Sequence, residues 1–160
     1  MSTQDAELPR APHVEGPSPH LLIVRAPYYR DVVDGMTSGA YRILGEAGAT
    51  ADSLDVAGAY ELPQVIRIAL RGNRRFDGFI ALGCIVKGET DHYDFICKST
   101  MDGIMSVALQ FGICLGTGLL TCDTVEQAVA RSSQDGHNKG AEAAAAALLQ
   151  INAARQLGAA

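Results

Sequence analysis

Eight consecutive residues, Lys87-Gly88-Glu89-Thr90-Asp91-His92-Tyr93-Asp94, form the densest cluster of chemically competent side chains in the chain. They follow an apolar run and precede a long helical pattern, so they occupy a strand-to-helix junction. Backbone N–H groups at such a helix start face any anion bound there. Gly88 lets the backbone come close and the Thr90 hydroxyl adds a donor, so a phosphate fits. His92 falls in the first turn, where the positive end of the helix dipole disfavours imidazolium and leaves a neutral ring able to exchange protons. The same residues have a plainer reading, in which Thr90 and Asp91 cap the helix, His92 lies on the surface and Lys87 is a solvated loop charge.

A second cluster, residues 57–63, is a Gly-containing turn at a strand end. It exposes backbone donors and acceptors, and Glu61 can receive the N–H groups of a heterocycle or simply favour the helix dipole from a first turn. Tyr28, after the first strand, offers a flat ring for stacking or a packing contact. Arg131 and Lys139 bracket a loop of turn formers. Two cations so placed suit a phosphate, although Arg131 also suits the C-terminus of a helix. Generic alternatives lack their motifs: no Gly-x-Gly-x-x-Gly follows a strand, and there is no P-loop, Gly-x-Ser-x-Gly elbow or His-Glu-x-x-His.

Elements that must position these residues are legible in the hydrophobic pattern. Residues 21–24 are a short continuous apolar run of the kind a doubly covered central strand carries. Residues 29–44 follow at helical spacing, and Gly48 stops that helix. Residues 50–56 read as a second strand, and Pro63 as the first position of a helix reaching residue 70. A third strand spans 76–85 with its apolar heart at 79–85, a long helix runs from about 91 to 112, and a fourth strand covers 113–120. Asp123-Thr124-Val125-Glu126 has capping-box spacing and opens a short helix ending near Arg131. Residues 139–157 form an Ala-rich final helix of high intrinsic propensity. Alternating strands and helices imply a three-layer α/β fold, a four-stranded parallel sheet covered on both faces by right-handed crossovers. Ligands in such sheets bind beyond the carboxyl ends of the strands, where these clusters lie.

Composition sets the frame. The 160 residues suit one domain, spanning 20–157, after an extended, weakly ordered arm at 1–19 that holds four of the six prolines. Thirteen Lys and Arg against eighteen Asp and Glu, a formal charge of −5, argue against nucleic acid. Apolar runs are too short for a membrane span, and the N-terminus lacks the basic head and apolar stretch of a signal peptide, so a cytoplasmic location is expected. Four cysteines at separations of 13, 17 and 8 residues lack the Cys-x-x-Cys pairs of metal or redox sites, which suggests reduced, buried structural thiols, with a reactive Cys84 near the candidate site as the alternative.

Taken together, Gly58-Ala59-Tyr60-Glu61-Leu62-Pro63, the run from Ala81 to Asp94 with its Gly-Glu-Thr-x-His core, and Asn138-Lys139-Gly140 resemble the lumazine synthase family in content, order and spacing. The resemblance covers residues 20–157. It implies a flavodoxin-like subunit and the condensation of 5-amino-6-ribitylaminouracil with 3,4-dihydroxy-2-butanone 4-phosphate to 6,7-dimethyl-8-ribityllumazine, the penultimate step of riboflavin synthesis, with neither metal nor cofactor. Position by position, it makes His92 the proton-transfer residue and Glu89-Thr90 the segment holding the butanone phosphate. Arg131 becomes the phosphate-binding arginine, with Lys139 near the phosphate. Tyr28 stacks on the pyrimidine, Ala59-Tyr60-Glu61 hold the uracil and ribityl chain, and Cys84-Ile85-Val86 form the other wall. Thr117 stands where many members carry Phe or another polar residue.

The same resemblance implies a homo-oligomer, a pentameric ring or a hollow icosahedral shell of such rings. Active sites then form between subunits: Thr117, Arg131 and Lys139 of one chain face Tyr28, Glu61 and His92 of the next. Two readings without turnover compete with it, a flavin- or lumazine-binding paralogue and a purely structural shell protein.

Overall fold

In a computed structural model, which describes residues 8–134 and 136–159, the elements run β1 (His20–Ala26), α1 (Arg30–Glu46), β2 (Thr50–Asp55), a 3-10 turn (Ala59–Glu61), α2 (Leu62–Ala69), β3 (Gly78–Val86), α3 (His92–Phe111), β4 (Leu115–Cys122), α4 (Val125–Ala130) and α5 (Lys139–Gln156). All strand pairs are parallel, in the order β2-β1-β3-β4. This is the three-layer, flavodoxin-like arrangement that the alternating pattern and the resemblance imply.

Strand alternation sorts the core into two halves. Leu21 and Ile23 of β1 with Ile80 and Leu82 of β3 pack against α1 and α5. Leu22, Val24, Phe79 and Ala81 point the other way, toward α2 and α3. Both faces of β1 and β3 are covered, which is why their sequences are continuous apolar runs. No helix among the described residues is long and apolar enough to cross a membrane.

The Ala-rich α5 does more than favour a helix. Ala141, Ala143, Ala144 and Ala147 are buried, and small residues let this helix approach its neighbours backbone to backbone. A Cβ on Gly140 would stand 1.8 Å from the Met36 carbonyl oxygen of α1, and one on Gly116 of β4 would stand 1.9 Å from that of Ala143. The seam α1–α5–β4 is therefore as tight as peptide groups allow.

Three expectations shift. β4 begins at Leu115, two residues late, because Gly112 ends α3 in the left-handed region (φ 58°) and Ile113 and Cys114 complete that turn; the strand then extends to Cys122, pairing with Val86. The capping box also slides by one: Thr124 is the N-cap and accepts the Gln127 N–H at 3.3 Å, while the Gln127 side chain takes the Asp123 N–H at 3.1 Å, leaving Glu126 out. The expected arm at 1–19 lies partly outside the described residues. Its remainder, from Leu8 to Pro19, runs along the domain: Ala11 and Val14 pack on the α1–α5 side of the core, and Glu15 donates its N–H to Asn152 Oδ1 at 3.1 Å and accepts from Arg155.

Candidate active site

The strand order reverses direction between β1 and β3, and a cleft of about 480 Å³ opens beyond their carboxyl ends. Tyr28 follows β1, the 3-10 turn with Ala59, Tyr60 and Glu61 follows β2, and Cys84, Ile85 and Val86 close β3. Gly88, Thr90 and His92 enter from the start of α3. No side chain caps α3 at Asp91, and since the Asp94 N–H donates to the Asp91 carbonyl at 3.1 Å, the N–H groups of His92 and Tyr93 are the ones left to a ligand. His92 is exposed and heads the helix. Tyr28 is 79% exposed, its ring in an edge contact with Tyr29 at 5.5 Å between centroids, and it lines the cleft.

A second cleft, about 230 Å³, runs along the outer strand β4. Thr117, Arg131 and Lys139 line it, with Gln127 and the Gly118–Cys122 stretch of β4. Arg131 donates from one guanidinium nitrogen to the Gln127 carbonyl at 2.9 Å, so it does serve the end of α4 as well as facing the cleft. Burial pushes the Cys122 thiol up, and the Arg131 charge offsets only part of that rise. Lys139 pairs with Glu142 one turn later, and its N–H bonds the Arg131 carbonyl at 2.9 Å, fixing the two cations to one another through the backbone.

The two clefts share no lining residue. Twelve of the thirteen residues singled out above line one or the other: nine line the first, and Thr117, Arg131 and Lys139 line the second. Glu89 lies between Gly88 and Thr90, is exposed, and is outside the cleft lining; Lys87 is likewise an exposed loop residue, its N–H bonded to the Cys122 carbonyl. Sequence reading named Tyr93 only as a member of the eight-residue cluster and missed Tyr29 and Ile96, all of which line the first cleft. Ile96 lies four residues beyond His92, the spacing that puts it on the same helix face. Gln127 was missed because its capping role is invisible once the box is placed a residue early. Burial pushes the Tyr93 hydroxyl up, and the Thr121 side chain, part of the second cleft, pulls it back.

All four cysteines are free; Cys84 and Cys122 are buried, Cys97 and Cys114 half-buried. Burial, reinforced by Cys122, pushes the Cys84 thiol from 9.0 up to about 12. Cys84 thus lines the cleft as a buried thiol that keeps its proton well above neutral pH. At pH 8, iodoacetamide should label Cys84 in the folded protein at least about 10²-fold more slowly than in the unfolded chain, since thiolate is the reacting species. Peptide mass spectrometry after timed quenching reads this directly, and equal rates would contradict the burial. The sign for stability follows: a raised thiol stabilises the fold below the unfolded value and loses that contribution as pH climbs from about 9 toward about 12.

Residues 18–155 match the family model of 6,7-dimethyl-8-ribityllumazine synthase. Among curated proteins, the chain is 42% identical over 144 residues to 6,7-dimethyl-8-ribityllumazine synthase 1 of Rhizobium meliloti, covering 88% of this chain and 94% of that one. The 6,7-dimethyl-8-ribityllumazine synthase of Agrobacterium fabrum is also 42% identical, covering 88% and 97%. That of Paramagnetospirillum magneticum is 38% identical, covering 86% and 96%.

Proposed function

Because the chain belongs to the 6,7-dimethyl-8-ribityllumazine synthase family, we propose that it carries out the family's condensation at sites shared by neighbouring subunits, each built from the first cleft of one chain and the second cleft of the next. It is an enzyme of riboflavin biosynthesis. The observation that carries the shared site is the partition itself: the heterocycle-side and phosphate-side residues lie in two open clefts with no lining residue in common.

The division suits the reaction. 5-Amino-6-ribitylaminouracil stacks its ring on Tyr28 and sets its polar edge against Ala59, Tyr60 and Glu61, with Cys84, Ile85 and Val86 opposite. Arg131 and Lys139 of the adjoining chain, with Thr117, Glu89 and Thr90 near, hold the phosphate of 3,4-dihydroxy-2-butanone 4-phosphate. Imine formation, phosphate elimination and ring closure each move protons on or near a carbonyl, and His92 is the group placed to move them. Holding both reactants in line supplies much of the acceleration.

Assembly has its own support. Met101, Met105, Leu109 and Phe95 of α3 are exposed, Phe95 at 71% and Leu109 at 76%. At 100° per residue they fall within a sector of about 120°, an apolar stripe that a lone subunit leaves in water. We read it as a face between subunits of a pentameric ring, with a shell of rings as the larger form. Free thiols throughout suit a reducing compartment, and we place the enzyme in the cytoplasm.

Initial rates of lumazine formation, followed by absorbance and corrected for the enzyme-free reaction, test the activity. Saturation in both substrates is the expected result; background rates with tight lumazine or flavin binding would mean a binding protein instead. His92→Ala should lower kcat by about 10²-fold or less, because acid–base assistance is limited and the uncatalysed condensation is itself feasible. An unchanged kcat would remove His92 from the proton transfers.

A further inference from the structure

Asn138 lines neither cleft and is 1% exposed, yet its side chain makes five hydrogen bonds. Oδ1 accepts from the N–H groups of Gly140 and Ala141, both at 3.0 Å, and so caps α5. Nδ2 does something a cap does not require. It donates to the carbonyls of Ser132 at 2.8 Å, Gly35 at 3.0 Å and Ser133 at 3.3 Å. Ser132 and Ser133 directly follow Arg131, while Asn138 directly precedes Lys139, whose N–H meets the Arg131 carbonyl. The amide therefore cross-ties the neck of the loop between the two cations and pins that neck to α1.

Glycines make room for this arrangement. A Cβ on Gly39 would sit 2.2 Å from Asn138 Oδ1 and 2.8 Å from Nδ2, and one on Gly35 would sit 2.6 Å from the Ser132 carbonyl oxygen. The loop neck is thus clamped from the α1 side by shape and from within by hydrogen bonds.

We infer that Asn138 is a positioning residue for phosphate recognition: through Nδ2 it sets the separation of Arg131 and Lys139 in the second cleft. This rests on the reading that those two cations hold the butanone phosphate. Losing the ties lets the neck widen, and two charges aimed at one phosphate lose the geometry that makes them act together.

Asn138→Asp separates this role from capping. Aspartate caps a helix as well as asparagine does, but presents only oxygen to three carbonyl oxygens. Asn138→Ser provides a second variant, with a cap oxygen and no reach to Gly35. For each, kcat, both KM values and the thermal midpoint are measured beside Arg131→Ala. The expected result is a KM for the phosphate substrate raised about tenfold, with the KM for the uracil substrate within about twofold of the parent. Equal rises in both KM values, or none while Arg131→Ala raises the phosphate KM, would overturn the positioning role. So would failure of both variants to fold, which would make Asn138 a residue of the scaffold alone. If Arg131→Ala itself leaves the phosphate KM unchanged, the assignment of the cleft fails, a result distinct from the others.

Discussion

Arg131→Ala should cut kcat/KM for the phosphate substrate by about 10²-fold, chiefly through KM, while the KM for the uracil substrate stays near that of the parent. Charge-assisted hydrogen bonds are each worth about 1.5–3 kcal/mol, and a forked guanidinium offers two; tenfold in affinity is about 1.4 kcal/mol. The bond from Arg131 to the Gln127 carbonyl at the end of α4 is also lost, but it is exposed and contributes little to stability. The thermal midpoint should therefore barely move. Initial rates across a matrix of the two substrates give both constants, and a shift confined to the uracil substrate would place the phosphate elsewhere. Subunit mixing adds a sharper check. On the shared-site reading, oligomers co-refolded from Arg131→Ala and His92→Ala chains contain interfaces where an intact first cleft meets an intact second cleft, so activity should reappear above that of either parent. No recovery would put both clefts' residues in one chain's site.

Gly140→Ala should cost about 3 kcal/mol or more, even though alanine is the better helix former by about 1 kcal/mol. The new methyl would meet the backbone of Met36, with its carbonyl oxygen at 1.8 Å and its carbonyl carbon at 2.4 Å, and no rotamer change can move a peptide group aside. For a chain of this length the thermal midpoint should fall by about 10 °C. Gly45→Ala supplies the contrast. It lies in α1 with nothing within 4 Å of the added Cβ, so helix propensity alone decides, and the gain should reach up to about 1 kcal/mol. Calorimetry of the two variants should show opposite signs; two shifts of like sign would mean that the α1–α5 seam yields more readily than its geometry implies.

What could be read in the sequence follows from the range of the physics involved. Local rules were enough for the run at 79–85, buried on both sides as β3, for the Gly48 stop, where φ is 71°, and for α5. They misplaced β4 because the chain leaves α3 through a left-handed glycine, and the next two residues are as apolar as a strand. They set the α4 cap one residue early because Thr124 opens a box with Gln127 while Asp123 offers the same spacing to Glu126. At the site, residue types flagged His92, Glu61 and Arg131, but no local rule divides such residues between two clefts. That division was implied only by the family resemblance. Asn138 entered only as a turn former and as part of the Asn138-Lys139-Gly140 motif, with no role of its own, since its worth depends on Gly35 and Gly39, about a hundred residues away in sequence and in contact in space.

With Lys139 proposed to hold the phosphate, the close seam between α1, α5 and β4 also bears on how that anion would be held. Lys139 is the first residue of α5, and the residue after it is locked against Met36, while Gly118 of β4 leaves no room for a Cβ beside the Lys139 carbonyl at 3.0 Å. Its Cα is thus fixed when the chain folds, and the backbone has little freedom left to surrender when phosphate arrives. Only side-chain torsions remain to be stilled, and Glu142 already restrains those through its ion pair. Ordering a long side chain costs about 0.5–1.5 kcal/mol, whereas ordering a mobile loop would add a like amount for every residue. The buried glycine and alanines of α5 in that seam, Gly140, Ala141, Ala143, Ala144 and Ala147, line neither cleft and on this reading act on affinity through entropy.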